Sequence, residues 1–300
     1  MKKETKEFVR MLHMSQEELY DYVLEAIPEN MTIINVVGSY IYISTTPNQN
    51  KPLLISHLDT VDSHGIRGDK QPIPNIVIDN SGIMSVADDK SVLGADDRAG
   101  VWIMLQMLRK DIMIANDYDY LFCCDEEIGG VGSSVFAKDY KHNLNNYNCF
   151  ISLDRQGTDE VATYGYDNDD LIKVFKDVGY VKARGTFTDC VNLSSESDIA
   201  CVNLSVGYFN EHSSREIQHI DVLYSTLEIL TNNDIRDKLA IVKYEAKKDN
   251  YWYSYDSNYD LDPCLCDCCG QHLPLYNIDI SKTEYVMVCE ECVPLYEYLV

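Results

Sequence analysis

Between Glu4 and Ala26 the apolar residues Phe8, Val9, Leu12, Leu19, Val23 and Leu24 recur at helical spacing and Pro28 follows, which predicts one leading amphipathic helix. The runs at 31–37 (MTIINVV) and 40–45 (YIYIST) read as strands joined by a Gly38-Ser39 turn, a hairpin. Three short apolar runs, 52–57 (PLLISH), 118–124 (YDYLFCC) and 148–154 (NCFISLD), have the character of buried strands, and each ends on or beside a histidine or an acid. Helical composition at 99–110 and 131–140 separates them. Beyond, 171–178 predicts a helix, 200–208 a strand and 216–233 a long amphipathic helix. Strands alternating with helices predict an α/β fold, a mixed, largely parallel central sheet flanked by helices over residues 1–245. Residues 246–263 lack a clear period and read as a linker to a cysteine-rich tail at 264–300.

Acids and imidazoles therefore gather at the carboxyl ends of buried strands, the edge where open α/β sheets bind ligands. Composition narrows what such a site can be. The chain is 45% apolar and 25% charged, the profile of a folded globular protein. Forty-nine acidic against twenty-five basic residues leave a formal charge of −24, which repels nucleic acid and anionic membrane surfaces and favours cations. No apolar run reaches the ~20 residues of a bilayer span, and the N-terminus lacks the apolar segment of a secretory signal, so the expected location is the cytoplasm. Of the eleven cysteines, Cys123, Cys124, Cys149, Cys190 and Cys201 are scattered in apolar surroundings and six crowd into 264–292. A reducing compartment and a metal knot account for this better than disulfides.

Four motifs carry chemistry. In His57-Leu58-Asp59, side chains two apart on an extended segment point the same way, so Asp59 can orient the His57 ring as carboxylates orient metal-bound imidazoles. In Gly94-Ala95-Asp96-Asp97-Arg98-Ala99-Gly100, an acidic pair opens an apolar helix. Capping accounts for one acid, assigned to Asp97, and leaves Asp96 as a carboxylate able to bridge two cations. Asp125-Glu126-Glu127 follows a buried strand, where three adjacent acids repel one another unless cations are present. One can ligate a metal while its neighbour moves a proton. Asp154 ends the next strand, and His212 stands between a strand and a helix. His13, His64, His142 and His219 lack comparable company, and Asp88-Asp89 reads as a turn.

Taken in order, the segments SHLDTV (56–61), GADDRAG (94–100), DEEIGGVGS (125–133) and HSSRE (212–216) resemble the di-zinc exopeptidase superfamily of peptidase T, acetylornithine deacetylase and the zinc aminopeptidases. The resemblance implies two catalytic zinc ions bridged by Asp96, with His57 and Asp154 completing one site and Glu127 and His212 the other. It also implies attack by a metal-bridging water with Glu126 as general base, and Asp59 as the orienter of His57. Lid-bearing members insert a domain of about a hundred residues between the equivalents of Asp154 and His212. Here 57 residues intervene, so a compact form is expected. Arg155, Tyr166, Asp189, Asn210 and Arg215 are candidates to hold substrate.

In the tail, Cys266-x2-Cys269 and Cys289-x2-Cys292 stand nineteen residues apart, the spacing of a four-thiolate zinc ribbon with one structural zinc ion; Cys264 and Cys268 are left over. The expected function is a zinc metallopeptidase, an aminopeptidase, hydrolysing short peptides. Two other readings fit the same residues: an amidohydrolase or deacylase acting on a non-peptide amide, and an inactive peptidase-like binding module.

Overall fold

The computed structural model describes residues 2–29, 31–45, 50–61, 75–88 and 90–248, together with the backbone of Leu275–Ser281 and Glu284–Cys289. Cys264, Cys266, Cys268, Cys269, Cys292, His64 and Asp89 lie outside the described residues.

Instead of one leading helix there are two, Lys3–Met11 and Gln16–Ala26. The second begins at a capping box: Ser15 Oγ accepts from Glu18 N at 3.2 Å, and Ser15 N donates to Glu18 Oε2 at 2.9 Å. Apolar spacing continues across the break because both helices face the same core, so periodicity alone merged them.

The central sheet has eight strands in the order Thr32–Val36, Tyr40–Ser44, Asp119–Cys123, Leu53–His57, Phe150–Arg155, Cys201–Ser205, Glu160–Thr163, Val181–Arg184. The first two are the expected hairpin, turning at Gly38 with φ +72°. The run from Asp119–Cys123 through Leu53–His57 and Phe150–Arg155 to Cys201–Ser205 is parallel throughout, so these four strands end at one edge. Leu53–His57, Asp119–Cys123 and Cys201–Ser205 are buried along their whole length, as parallel strands covered on both faces must be. Alternation divides the core: Leu54, Tyr120 and Phe122 face the helix Ala95–Lys110, whereas Leu53, Ile55 and Leu121 face Phe136 and Leu193 from the helices Val131–Asp139 and Asp189–Ser195. The long helix comes so close that a Cβ on Gly100 would lie 2.3 Å from Leu153 O, which only glycine allows.

Several elements escaped the pattern. Glu160–Thr163 and Val181–Arg184 extend the main sheet, and Ile76–Ile78, Ile83–Val86, Tyr208–Phe209 and Ile217–His219 make a second sheet of four short strands. The helix expected over 216–233 starts only at Ile220, because Ile217–His219 is claimed by pairing with Ile83–Val86, and it ends at Thr231 before another helix, Asn233–Ile241. Residues 155–211 contribute three strands to the central sheet and hold no separate domain. Lys247–Lys248 pairs with Tyr166–Asp167. By chain contacts the molecule divides into two units, Met1–Tyr251 and Trp252–Val300; within the second, Leu275–Ser281 and Glu284–Cys289 pair antiparallel. No helix among the described residues is long and apolar enough to cross a membrane. The five scattered cysteines are free and buried.

At the opposite end of the parallel strands a polar knot is buried. Lys51 Nζ lies 3.1 Å from Asp119 Oδ1, while the Tyr42 and Tyr147 hydroxyls donate to Asp119 Oδ2 at 2.9 and 3.2 Å. Removing one partner of a buried ion pair strands the other charge. Lys51→Met is therefore expected to lower unfolding free energy by about 3–5 kcal/mol in urea titrations. A loss within experimental error of zero would show that the two tyrosines and Thr45, whose N–H donates to Asp119 Oδ1 at 3.0 Å, sustain the carboxylate without the lysine.

Candidate metal centre

The parallel register brings His57, Glu126, Glu127 and Asp154 to one edge, since His57 closes its strand, the acidic triplet follows Cys123 by two residues, and Asp154 is the last residue but one of its own strand. Asp96 enters from the start of the helix Ala95–Lys110, and His212 from the loop before Ile217–His219. His212 and Asp125 adopt left-handed backbone, φ +57° and +64°.

Asp96 stands between the two histidines. Its Oδ1 is 3.1 Å from His57 Nε2 and its Oδ2 is 3.1 Å from His212 Nε2. His57 Nε2 also lies 3.4 Å from Asp154 Oδ1, and His212 Nε2 lies 2.8 Å from Glu127 Oε1. Ligand atoms of His57, Asp96 and Asp154 fall within 4.8 Å of one another, as do those of Asp96, Glu127 and His212, and those of His57, Glu126 and Glu127. Asp96 is common to the first two sets.

Surrounding groups hold these side chains in place. Asp59, 1% exposed, puts Oδ1 3.4 Å from His57 Nδ1, an ion-pair approach without hydrogen-bond alignment. The same carboxylate accepts Glu126 N at 3.0 Å and Glu127 N at 3.1 Å. Asp154 accepts from Thr188 Oγ1 and Tyr208 Oη, both at 3.0 Å, and its main chain is gripped in both directions by the Asn203 amide. Asp97 is buried and accepts from Gly100 N at 3.0 Å, the capping role expected of it. It also accepts from His57 N at 3.2 Å and from Ser56 Oγ, tying the helix start to the strand end.

Glu216 is a supporting residue that sequence reasoning passed over. Fully buried, it accepts Gly94 N at 2.7 Å and Asp96 N at 3.1 Å, so the segment His212–Glu216 touches Asp96 at both its carboxylate and its backbone. Its membership in HSSRE was the available signal. Arg98, also buried, donates to Asp59 O at 3.0 Å and to Met14 O at 2.9 Å.

Of the proposed substrate-holding residues, Asp189 is buried near the carboxylates. Arg155 instead pairs with Glu160 at 2.8 Å, and Asn210 Nδ2 donates to Arg215 O at 3.4 Å. Asp88 accepts Lys90 N and Ser91 N in the expected turn. His142 is exposed, and His219 packs on Phe209 from the strand Ile217–His219.

Electrostatics calls for cations here. Burial pushes Glu126 up to about 10, reinforced by Asp154 and Asp189 against an opposing pull from His57. Burial also raises Glu127, Asp154 and Asp97. Burial alone would depress the histidines, yet the carboxylates outweigh it, lifting His57 well above its usual range and His212 to about 11. The four buried or half-buried carboxylates Asp96, Glu126, Glu127 and Asp154 around two imidazoles are short of positive charge, and nitrogen and oxygen donors of this kind suit zinc.

A mixed α/β sheet with this donor set on its carboxyl edge is the architecture of the di-zinc exopeptidase superfamily, and the protein is a zinc-dependent hydrolase. Residues 35–203, more than half of the chain, match peptidase family M28, and the chain belongs to that family. No curated protein sequence matches it. Among solved structures it is similar to aminopeptidase PepT from Bacillus cereus, with TM-score 0.60 and 12% identity over 79% of this chain and 98% of that one. A tripeptidase from Staphylococcus aureus gives TM-score 0.58 and 13% identity over 79% and 98%. An aminopeptidase from Desulfurococcus kamchatkensis gives 0.52 and 13% over 85% and 99%. At these identities the likeness is one of fold.

Proposed function

We propose that the protein is a di-zinc aminopeptidase acting on short peptides. The observation that carries this reading is the single Asp96 carboxylate turned toward both histidines, with Asp154 beside His57 and Glu127 beside His212. Asp96 would then be shared by two zinc ions, with His57 and Asp154 completing one site and Glu127 and His212 the other. Zinc supplies Lewis acidity, polarising the scissile carbonyl and making water more acidic. The chain's own residues do the rest. Asp59 holds the His57 ring and, through Glu126 N and Glu127 N, sets the two glutamates side by side. Glu126 takes the proton of the attacking water and delivers it to the departing amine. The names of the similar structures, a PepT, a tripeptidase and an aminopeptidase, support release of residues from short peptides.

A third zinc ion, structural, belongs in this reading to Cys266, Cys269, Cys289 and Cys292. Their spacing supports it, as does the antiparallel pair that lies between the two Cys-x2-Cys motifs in the sequence, whose second strand ends at Cys289. The five free buried thiols support a reducing compartment, the cytoplasm.

The test is a library of free and N-acylated peptides and acyl-amino acids, followed by mass spectrometry with and without a chelator. The expected result is stepwise loss of N-terminal residues from free peptides, abolished by chelation and restored by zinc. Cleavage of acyl-amino acids only would make the protein a deacylase, and no chelator-sensitive turnover would make it a binding module.

A further inference from the structure

The three backbone N–H groups that run through the acidic triplet are all held by side chains from elsewhere. Glu126 N and Glu127 N donate to Asp59, and Asp125 N donates to Gln16 Oε1 at 3.0 Å. Gln16 closes a ring by donating from Nε2 to Asp125 Oδ1 at 2.8 Å. Asp125 sits at φ +64°, a left-handed conformation that residues with a side chain adopt at some cost in free energy. Two hydrogen bonds from a half-buried amide are of the size needed to offset that cost. Gln16 is the first residue of the helix Gln16–Ala26, and two residues earlier Met14 O receives Arg98, whose other nitrogen holds Asp59 O. The connection between the two N-terminal helices thus grips both ends of the chain of contacts that sets Glu126.

We propose that Gln16 is a positioning residue for catalysis, acting through Asp125 to keep Glu126 and Glu127 in register with Asp59. The inference rests on the assignment of Glu126 as general base. Without the clamp Asp125 relaxes toward negative φ, the peptide plane joining it to Glu126 rotates, and Glu126 leaves the geometry that proton transfer requires. Misplacement of that kind costs about ten- to a hundredfold in rate. The effect falls on kcat, since the substrate is held by other groups.

The experiment measures kcat, KM, zinc content and Tm for Gln16→Ala and for Gln16→Met, which keeps the packing and removes both hydrogen bonds. Each is made in the native chain and in an Asp125→Gly background, where positive φ is free of cost. The expected result is a kcat about ten- to a hundredfold lower with KM within about threefold, zinc content unchanged, and Tm within a few degrees of the parent. In the Asp125→Gly background the same changes should alter kcat by less than about twofold. Unchanged kcat in both Gln16 variants overturns the proposal, and so does an equal fall in the two backgrounds, which would place the action of Gln16 elsewhere. Glu126→Gln serves as the control: if that enzyme stays active, it is the general-base assignment that fails.

Discussion

Glu126→Gln is expected to lower kcat by about 10³-fold, within the range general acid–base groups contribute, while zinc content stays at that of the native protein. The two glutamates are adjacent and both are largely buried, yet their surroundings differ. Glu127 Oε1 approaches His212 Nε2 at 2.8 Å, the company of a ligand, whereas Glu126 makes no such contact with His212. Burial pushes Glu126 up to about 10, so its carboxyl holds a proton readily, and positive charge placed beside it lowers that affinity toward the range where it can both accept and release one. The amide of glutamine keeps the shape and loses the proton transfer. Metal analysis beside steady-state kinetics separates the roles. Loss of zinc in Glu126→Gln would exchange the assignments of Glu126 and Glu127, and retention of most activity would remove Glu126 from proton transfer altogether.

Asp96→Ala is expected to abolish activity by emptying both catalytic sites together. Each of the two clusters that contain Asp96 would be left with two donors, and a site of two protein donors binds zinc weakly. Zinc content should fall from about three ions per chain to about one, the ribbon ion remaining. A drop of a single ion would mean that Asp96 serves only one cluster. Asp96 sits at 5% exposure with its backbone N–H held by Glu216, so the alanine variant is expected to keep its fold, which circular dichroism checks.

The buried strands and the acids that end them were visible in the pattern because a parallel strand covered on both faces is made mostly of apolar side chains until it reaches the edge. The runs ending at His57 and Asp154, and the one followed by Asp125, showed this plainly, and the helix after Gly94 was marked by its acidic start and apolar body. Short strands such as Val181–Arg184, with little apolar length, give no such signal, and Ile217–His219 reads as helix because it is three residues long and lies between the two-residue strand Tyr208–Phe209 and a partner more than 130 residues earlier. The break between the two N-terminal helices was written in Ser15 and Glu18 and lost under the stronger periodicity.

What the sequence determined by itself was the class of chemistry: an ordered set of imidazoles and carboxylates at strand ends, in a strongly acidic chain. What only the tertiary structure decided was which groups hold that set in place. Glu216 under the Asp96 backbone, Thr188 and Tyr208 on Asp154, Arg98 across Asp59, and Gln16 against Asp125 are contacts between segments far apart along the chain. The reason is physical. A ligand announces itself by its own chemistry at a strand end, whereas a supporting hydrogen bond exists only where folding brings a donor within about 3 Å of its acceptor.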